Sequence, residues 1–217
     1  MIWKNFVRDL RRTASRLISV SIITMIAVMV YTALSGILTN IERISASYLE
    51  GQNVADYWLT GVNLDQGDCR TLEGIAGVTG VQPRVVLDAE ERHDSSVTLQ
   101  LYAVPGDYAI NTPYVVEGRL PVKEEECVVE EGSDYHAMGF SVGDTLTISP
   151  ENEDWEDTFA RNELKVVGVV STSAYFSIER ESASVGDGTV DVVLYTGEQN
   201  FTLDVWTDIY VQVAGAK

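Results

Sequence analysis

The sequence predicts a membrane-anchored α+β protein. We expect an N-terminal amphipathic elbow helix and one transmembrane helix, followed by a mixed, mostly antiparallel α/β domain outside the cytoplasm. Three observations predict this architecture. A run of 22 residues near the N terminus carries no charge, and bases precede it while acids dominate after it. Beyond the run, short segments rich in β-branched residues alternate with turn residues and short helical stretches, which is typical of an α+β domain.

The uncharged run, residues 17–38, is long enough to cross a bilayer as a helix. At about 1.5 Å per residue it extends roughly 33 Å, against a hydrocarbon core of about 30 Å. A cleaved signal peptide is the alternative, but its apolar core normally has about 7–15 residues. A weak cleavage candidate, Ser45-Ala46-Ser47, lies several residues beyond the run. We therefore expect an uncleaved anchor.

The distribution of charge predicts the orientation of this anchor. The first 16 residues hold five bases and one acid, whereas residues 40–217 hold ten bases and 32 acids. Basic residues beside a span stay on the cytoplasmic side, so we expect a cytoplasmic N terminus and residues 39–217 outside the cell membrane. The negative charge of the external part argues against nucleic acid as its partner.

Helical stretches are predicted on both sides of the span. In residues 1–16, apolar residues recur at helical spacing, with most of the bases on the other side: Trp3, Phe6, Val7, Leu10 and Ala14. This pattern predicts an interfacial helix on the membrane surface; half of a soluble core helix is the alternative. Residues 39–50 contain no helix breaker before Gly51, so the helix should continue outward for about three turns. The remaining residues, 51–217, form the external domain.

Strands in the external domain are predicted where β-branched residues cluster: 55–60, 78–87, 97–104, 127–130, 145–149, 164–170, 190–195 and 208–213. Helices are expected at 64–75, with Asp65 as N-cap, and at 133–138. The acidic segment 150–157 is interpreted as a solvated hairpin tip, because it lacks the ligand spacing and central glycine of a calcium loop. Residues 182–188 are interpreted as a loop and not as a phosphate cradle.

No cluster of residues nominates a catalytic, cofactor-binding or metal site. Cys69 and Cys127 lie 58 positions apart, and together with His93 and His136 they show no metal-ligand spacing. A disulfide is possible in an oxidising compartment, but a small buried thiol is favoured for Cys127, which lies in an apolar run. Phosphate-binding glycine motifs are missing, so we do not expect this chain to hydrolyse ATP.

Four segments occur in an order that is typical of one protein family. They are Ile2-Trp3-Lys4-Asn5 with Arg8-Asp9-Leu10-Arg11-Arg12, Glu117-Gly118-Arg119-Leu120-Pro121 with Glu126-Cys127-Val128-Val129, residues 138–148 (MGFSVGDTLTI) and residues 164–170 (LKVVGVV). Together they resemble the FtsX-like/MacB-like permease family of ABC transport systems, from the elbow helix through the MacB-like periplasmic core domain. Their glycines and proline suit tight turns, so they indicate a fold and not a reacting group.

The resemblance implies a permease subunit that is not itself an enzyme and needs no cofactor. The implied partners are a cytoplasmic ABC ATPase, further permease transmembrane helices, a second permease copy and the lipid bilayer. Permeases of this family carry at least three more spans after the external domain, so the chain is expected to be the N-terminal portion of a longer permease. A single-pass anchored binding or sensor module is the alternative, and an anchored external enzyme is disfavoured because no nucleophile or base stands out.

We predict that replacing Arg11, Arg12 and Arg16 together by Glu impairs insertion or inverts the anchor, because these bases set its orientation. A reporter fused after Lys217 measures on which side of the membrane the domain lies. The matching triple replacement by Lys keeps the charge and should leave the domain outside. A Glu triple variant that still exports the reporter at normal yield contradicts the predicted orientation.

Overall fold

The computed structural model describes residues 2–94, 96–104, 106, 109–132, 140–152, 155–173 and 182–215. The chain divides into two compact units, Met1–Tyr48 and Leu49–Lys217. The first unit is helical, and every described strand belongs to the second.

A single helix, α1 (Ile2–Gly51), runs through the three N-terminal segments that the sequence distinguishes. Its stretch Ala14–Gly51 is long and apolar enough to cross a membrane. Apolar side chains along it are exposed, Ile23 by 67% and Met29 by 63%, as expected for a helix whose surroundings are lipid or other helices. The predicted N-terminal apolar helix is confirmed, whereas its division at residues 16 and 38 stays a prediction.

The second unit is built on a sheet with nine strands in the described residues: β1 (Tyr57–Leu64), β2 (Val78–Glu90), β3 (Thr98–Val104), β4 (Tyr114–Gly118), β5 (Glu126–Glu130), β6 (Thr145–Thr147), β7 (Glu163–Ser171), β8 (Val192–Gly197) and β9 (Trp206–Val213). The strand order is β1-β9-β2-β3-β8-β5-β7-β4, and β6 pairs with β7. The pairs β3–β8 and β5–β7 are parallel, and the other pairs are antiparallel. The predicted α+β class with a mostly antiparallel sheet is confirmed.

The long strand β2 belongs to both halves of this sheet. Its first half pairs with β9 up to Arg84, and its second half pairs with β3 from Val85 onward. The central strands are buried on both faces: Val128 of β5 packs in one core cluster, and its neighbour Val129 packs in another. Burial on both faces explains why these strands appear in the sequence as short continuous apolar runs.

Helix α2 (Gln66–Glu73) shows the predicted cap. The Oδ1 atom of Asp65 accepts hydrogen bonds from the backbone N–H groups of Gly67 (2.6 Å) and Asp68 (3.2 Å), and the Asp68 carboxylate accepts one from the backbone of Asp65 (2.9 Å). This reciprocal capping box satisfies N–H groups that the first turn leaves unpaired. The helix begins two residues later than predicted because Leu64 completes β1.

Strand β4 and helix α3 were not predicted from the sequence. Strand β4 (YVVEG) is short and has mostly exposed side chains, although its first three residues are apolar. Helix α3 (Trp155–Thr158) is one turn inside the predicted tip 150–157, too short for helical periodicity to show. The segment 182–188 is a loop as predicted, closed by a bridge between Ser182 and Thr189. The predicted helix 133–138 lies outside the described residues.

We predict that residues 51–217 expressed alone fold as a soluble acidic domain with a cooperative thermal transition. All three core clusters lie within this segment, so it carries its own buried apolar surface. Circular dichroism against temperature measures the transition. A gradual, non-cooperative loss of signal contradicts independent folding.

Candidate functional site

Three of the four sequence segments that carry the family resemblance, those in the external domain, meet around β7. Gly118, which ends β4 with a φ of 73°, lies directly opposite Gly168 of β7. A Cβ atom on Gly168 would lie 2.6 Å from the carbonyl oxygens of both Glu117 and Arg119, so the two backbones approach as only glycine permits. The third segment joins them, because Gly143 N–H donates to the carbonyl of Val166 at 2.8 Å. These motifs are therefore architectural.

An ion pair closes the loop after β4. Arg119 donates two hydrogen bonds to the Glu126 carboxylate, Nη1 to Oε2 at 2.7 Å and Nη2 to Oε1 at 2.5 Å. The backbone N–H groups of Val122 and Lys123 also donate to this carboxylate, at 2.9 and 3.1 Å. The Arg119 hydrogen bonds, followed by that from Val122, hold the pKa of Glu126 far below its ordinary value. The arrangement shapes a loop and leaves no group for chemistry.

Both cysteines are free and buried, in different core clusters. Burial raises the pKa of the Cys127 thiol far above its ordinary value. Burial, together with the nearby carboxylates of Glu73, Asp68 and Asp65, also raises the pKa of Cys69. The interpretation of Cys127 as a buried thiol is confirmed, and neither thiol is suited to act as a nucleophile.

The segment that follows α1 is bonded to the sheet through Asn53. Gln212 of β9 donates from Nε2 to the carbonyl oxygen of Asn53 at 3.0 Å and to its Oδ1 at 2.8 Å. In turn, Asn53 Nδ2 donates to the carbonyl of Ala109 at 2.7 Å. Asn53 has a φ of 50°, a left-handed conformation that asparagine adopts more readily than most residues. The Asn53 side chain is thus hydrogen-bonded both to Gln212 of β9 and to the backbone of Ala109.

The loop 109–112 holds the same segment from another direction. The backbone N–H groups of Asn111 and Thr112 donate to the carbonyls of Asn53 (3.1 Å) and Gln52 (2.7 Å). The Asn111 side chain, which is fully buried, accepts a hydrogen bond from Ala55 N–H at 2.8 Å. Gln52, Asn53 and Ala55 therefore have few ways to move without breaking hydrogen bonds to the loop 109–112.

Strand β2 fixes the loop 109–112 in place. Gln82 Oε1 accepts from Ile110 N–H at 2.8 Å, and Arg84 Nη2 donates to the Ile110 carbonyl at 2.5 Å. Arg84 is fully buried, and its guanidinium carbon lies 4.5 Å from the centre of the Tyr210 ring, in a cation–π contact. We name residues 52–56, the loop 109–112 and the side chains of Gln82, Arg84 and Gln212 the junction clamp.

An open cleft of about 430 Å³ lies on the face of the sheet formed by β1, β9, β2 and β3. Its lining combines aromatic rings, carboxylates and neutral polar groups, and includes Trp58, Thr60, Asp88, Gln100, Tyr102, Ser184, Thr207, Asp208 and Tyr210. The rings of Trp58 and Tyr210 stack with their centres 5.4 Å apart. We name this the aromatic cleft. Its volume lies within the range of small-molecule sites, roughly 300–1,000 Å³.

Comparison with solved structures finds 22 matching chains. One is the extracellular domain of the ABC-type transporter YknZ from Gram-positive bacteria, with 14% identity, a TM-score of 0.46, and coverage of 71% of this chain and 75% of that one. Another is the periplasmic region of MacB from Actinobacillus actinomycetemcomitans, with 16% identity, a TM-score of 0.46 and 73% of each chain covered. No family model and no curated protein matches the chain.

The chain is thus similar to external domains of ABC-type transporters. The sequence motifs described above resemble the FtsX-like/MacB-like permease family, and one of these structures is from MacB itself.

The sequence nominated no catalytic, cofactor-binding or metal-binding residue, and that expectation stays a prediction. It missed both the junction clamp and the aromatic cleft. A signal for the cleft exists in the alternation of Trp58 with Thr60 and of Asp208 with Tyr210, which places each pair on one face of a strand. The clamp gives no such signal, because its members meet only through the long-range pairing of β2 and β9.

We predict that Glu126→Gln lowers the melting temperature of the domain by several degrees at pH 7. Because the folded-state pKa of Glu126 lies below the unfolded value of about 4.3, its stabilisation is fully present above that pH and is lost as pH falls. The difference between variant and wild type should therefore shrink below about pH 4.3 in thermal denaturation. Glu124→Gln is the matched control, since Glu124 pairs with Arg161 at the surface and is 63% exposed. A constant difference from pH 7 to pH 3 contradicts the predicted role.

Proposed function

We propose that the chain is the N-terminal portion of an ABC-type permease subunit, whose extracytoplasmic domain couples ATP-driven transmembrane motion to export or to an external partner. Residues 1–16 form the cytoplasmic elbow helix, 17–38 the first transmembrane helix, 39–50 its external extension and 51–217 the extracytoplasmic domain. The chain itself performs no catalysis. A cytoplasmic ABC ATPase supplies the energy, and the remaining permease helices and a second permease copy complete the assembly.

The junction clamp is the observation that carries this proposal. A mechanical relay needs a stiff connection where a moving helix enters the domain, since a flexible linker of Gly/Ser type would absorb the displacement. Residues 52–55 are instead held by several hydrogen bonds to the loop 109–112 and to Gln212. Through Gln82 and Arg84 those bonds continue into the centre of the sheet. Displacement at Gln52 would therefore be passed to β2 and β9.

The clamp also contains buried polar atoms that have no hydrogen-bond partner in the described structure. They are both amide atoms of Gln52, Nδ2 of Asn111, and Nε and Nη1 of Arg84. Such atoms are costly in a buried site, and a second arrangement of the clamp could satisfy them. Two discrete arrangements of one packed element are what a conformational relay requires.

A single-pass binding or sensor module is the second candidate. The aromatic cleft favours it, because a cleft of this size suits a ligand whether or not the domain moves. The two candidates differ in one respect, since only a permease has a nucleotide-dependent state.

We predict that the tagged chain, purified in mild detergent from its native membranes, brings down an ATPase. Adding ATP and vanadate should then change amide hydrogen exchange in residues 52–56 and 109–112. Gln212→Ala should retain the ATPase but reduce the change at 109–112, because it removes three hydrogen bonds with Asn53 and one with the Val54 carbonyl. Gln66→Ala is the control, as Gln66 is an exposed residue at the start of α2. Absence of an ATPase, with exchange that nucleotide does not alter, favours the sensor.

A further inference from the structure

Two carboxylates give the aromatic cleft its charge. Asp208 accepts hydrogen bonds from the hydroxyl groups of Thr60 (2.6 Å) and Thr207 (2.7 Å). Asp88 accepts from the Gln100 amide at 3.2 Å and from Ser184, whose backbone N–H lies at 2.9 Å. All these donors are neutral, and neither aspartate forms a salt bridge within the described residues. The negative charges of the cleft are therefore not paired by a base of its own lining.

Asp208 keeps acceptor capacity for a ligand. A carboxylate offers about four lone-pair sites, and the two hydroxyl groups of Thr60 and Thr207 occupy two of them. Asp208 is directly opposite Thr60 in the pairing of β9 with β1, so its position is set by the sheet and not by a loop. A cation in the cleft would meet an oxygen atom that is already oriented.

The aromatic side of the cleft suits the same ligand. Trp58 stacks on Tyr210 but remains 51% exposed, so much of its surface is open to a partner. An ammonium or guanidinium group over the face of a tryptophan is attracted by the ring. Among the described residues, the lining includes no lysine, arginine or histidine, and Arg84, which is buried against Tyr210, is not part of it. The described lining therefore provides no positive charge that would attract an anion.

We propose that the aromatic cleft binds an organic cation, an ammonium or guanidinium group on a small apolar carrier. Asp208 serves as its counter-ion and Trp58 as its aromatic surface. This inference does not depend on the permease proposal, because it rests on the lining of the cleft alone.

Agmatine, which carries a guanidinium and an ammonium group on an aliphatic chain, is the test ligand. Isothermal titration of the full chain in non-ionic detergent should show saturable binding that weakens as sodium chloride is added. Glucose, a neutral ligand that also suits aromatic and carboxylate linings, should give no heat beyond dilution. Binding of glucose without binding of agmatine overturns the proposal in favour of a sugar site.

Variants locate the binding. Asp208→Asn should weaken agmatine binding by about tenfold or more, as expected for loss of a charged hydrogen-bond partner. Trp58→Ala should weaken it by roughly two- to fivefold, the size of an exposed cation–π contact. The matched controls are Asp204→Asn, an exposed aspartate outside the cleft lining, and Tyr57→Ala, the exposed neighbour of Trp58 on β1.

Each result separates the cleft from nonspecific attraction to an acidic protein. Wild-type affinity in Asp208→Asn, or equal weakening in Asp204→Asn, overturns the proposal. Both Trp58 and Tyr57 are more than half exposed, so their replacement leaves the core intact, and thermal melting checks that every variant is folded. If Asp208→Asn melts at a lower temperature, the agmatine affinities of Trp58→Ala and Tyr57→Ala are compared instead. Weaker binding in Trp58→Ala alone supports binding in the cleft, and equal affinities overturn it.

Discussion

A buried hydrogen bond from Arg84 to the carbonyl of Ile110 organises the base of the domain. It holds the loop 109–112 against β2, and that loop in turn holds the segment after α1. The guanidinium is fully buried without a salt bridge in the described residues, so the Tyr210 ring and a carbonyl dipole replace the usual carboxylate. Burying a charge in this way is costly, and the hydrogen bond and the ring contact offset part of that cost. Tyr210 lines the aromatic cleft and contacts Arg84 of the junction clamp, so this one contact joins the two features.

The sequence predicted the parts of the fold that local physics dictates. The uncharged run 17–38 could only be a long apolar helix, and the carboxylate of Asp65 marked the start of α2 because a cap acts within one turn. Central strands such as β5 and β8 were found because they are buried on both faces. Strand β4 was missed because its pairing with β7 depends on the contact of Gly118 with Gly168, which lie 50 positions apart.

The functional features also divide into those that local sequence determines and those that depend on long-range contacts. A helix cap or a span is local, whereas the junction clamp joins residues near positions 53, 82, 110 and 212 that only the folded sheet brings together. The three family motifs in the external domain are turns and close backbone contacts around β7, with Arg119 and Glu126 closing one loop. They identify an architecture. The proposed cation site uses other residues, Trp58 and Asp208.

The burial of both cysteines has a practical consequence for studying motion in this protein. Cys69 and Cys127 are the two cysteines of the chain, and both are almost inaccessible, at 3% and 0% exposure. Thiolate is the form that reacts with maleimides, and burial suppresses it at each position. A single cysteine introduced on an exposed strand can therefore carry a fluorophore or spin label while the native thiols stay unmodified, so distances can be followed in an otherwise unaltered chain.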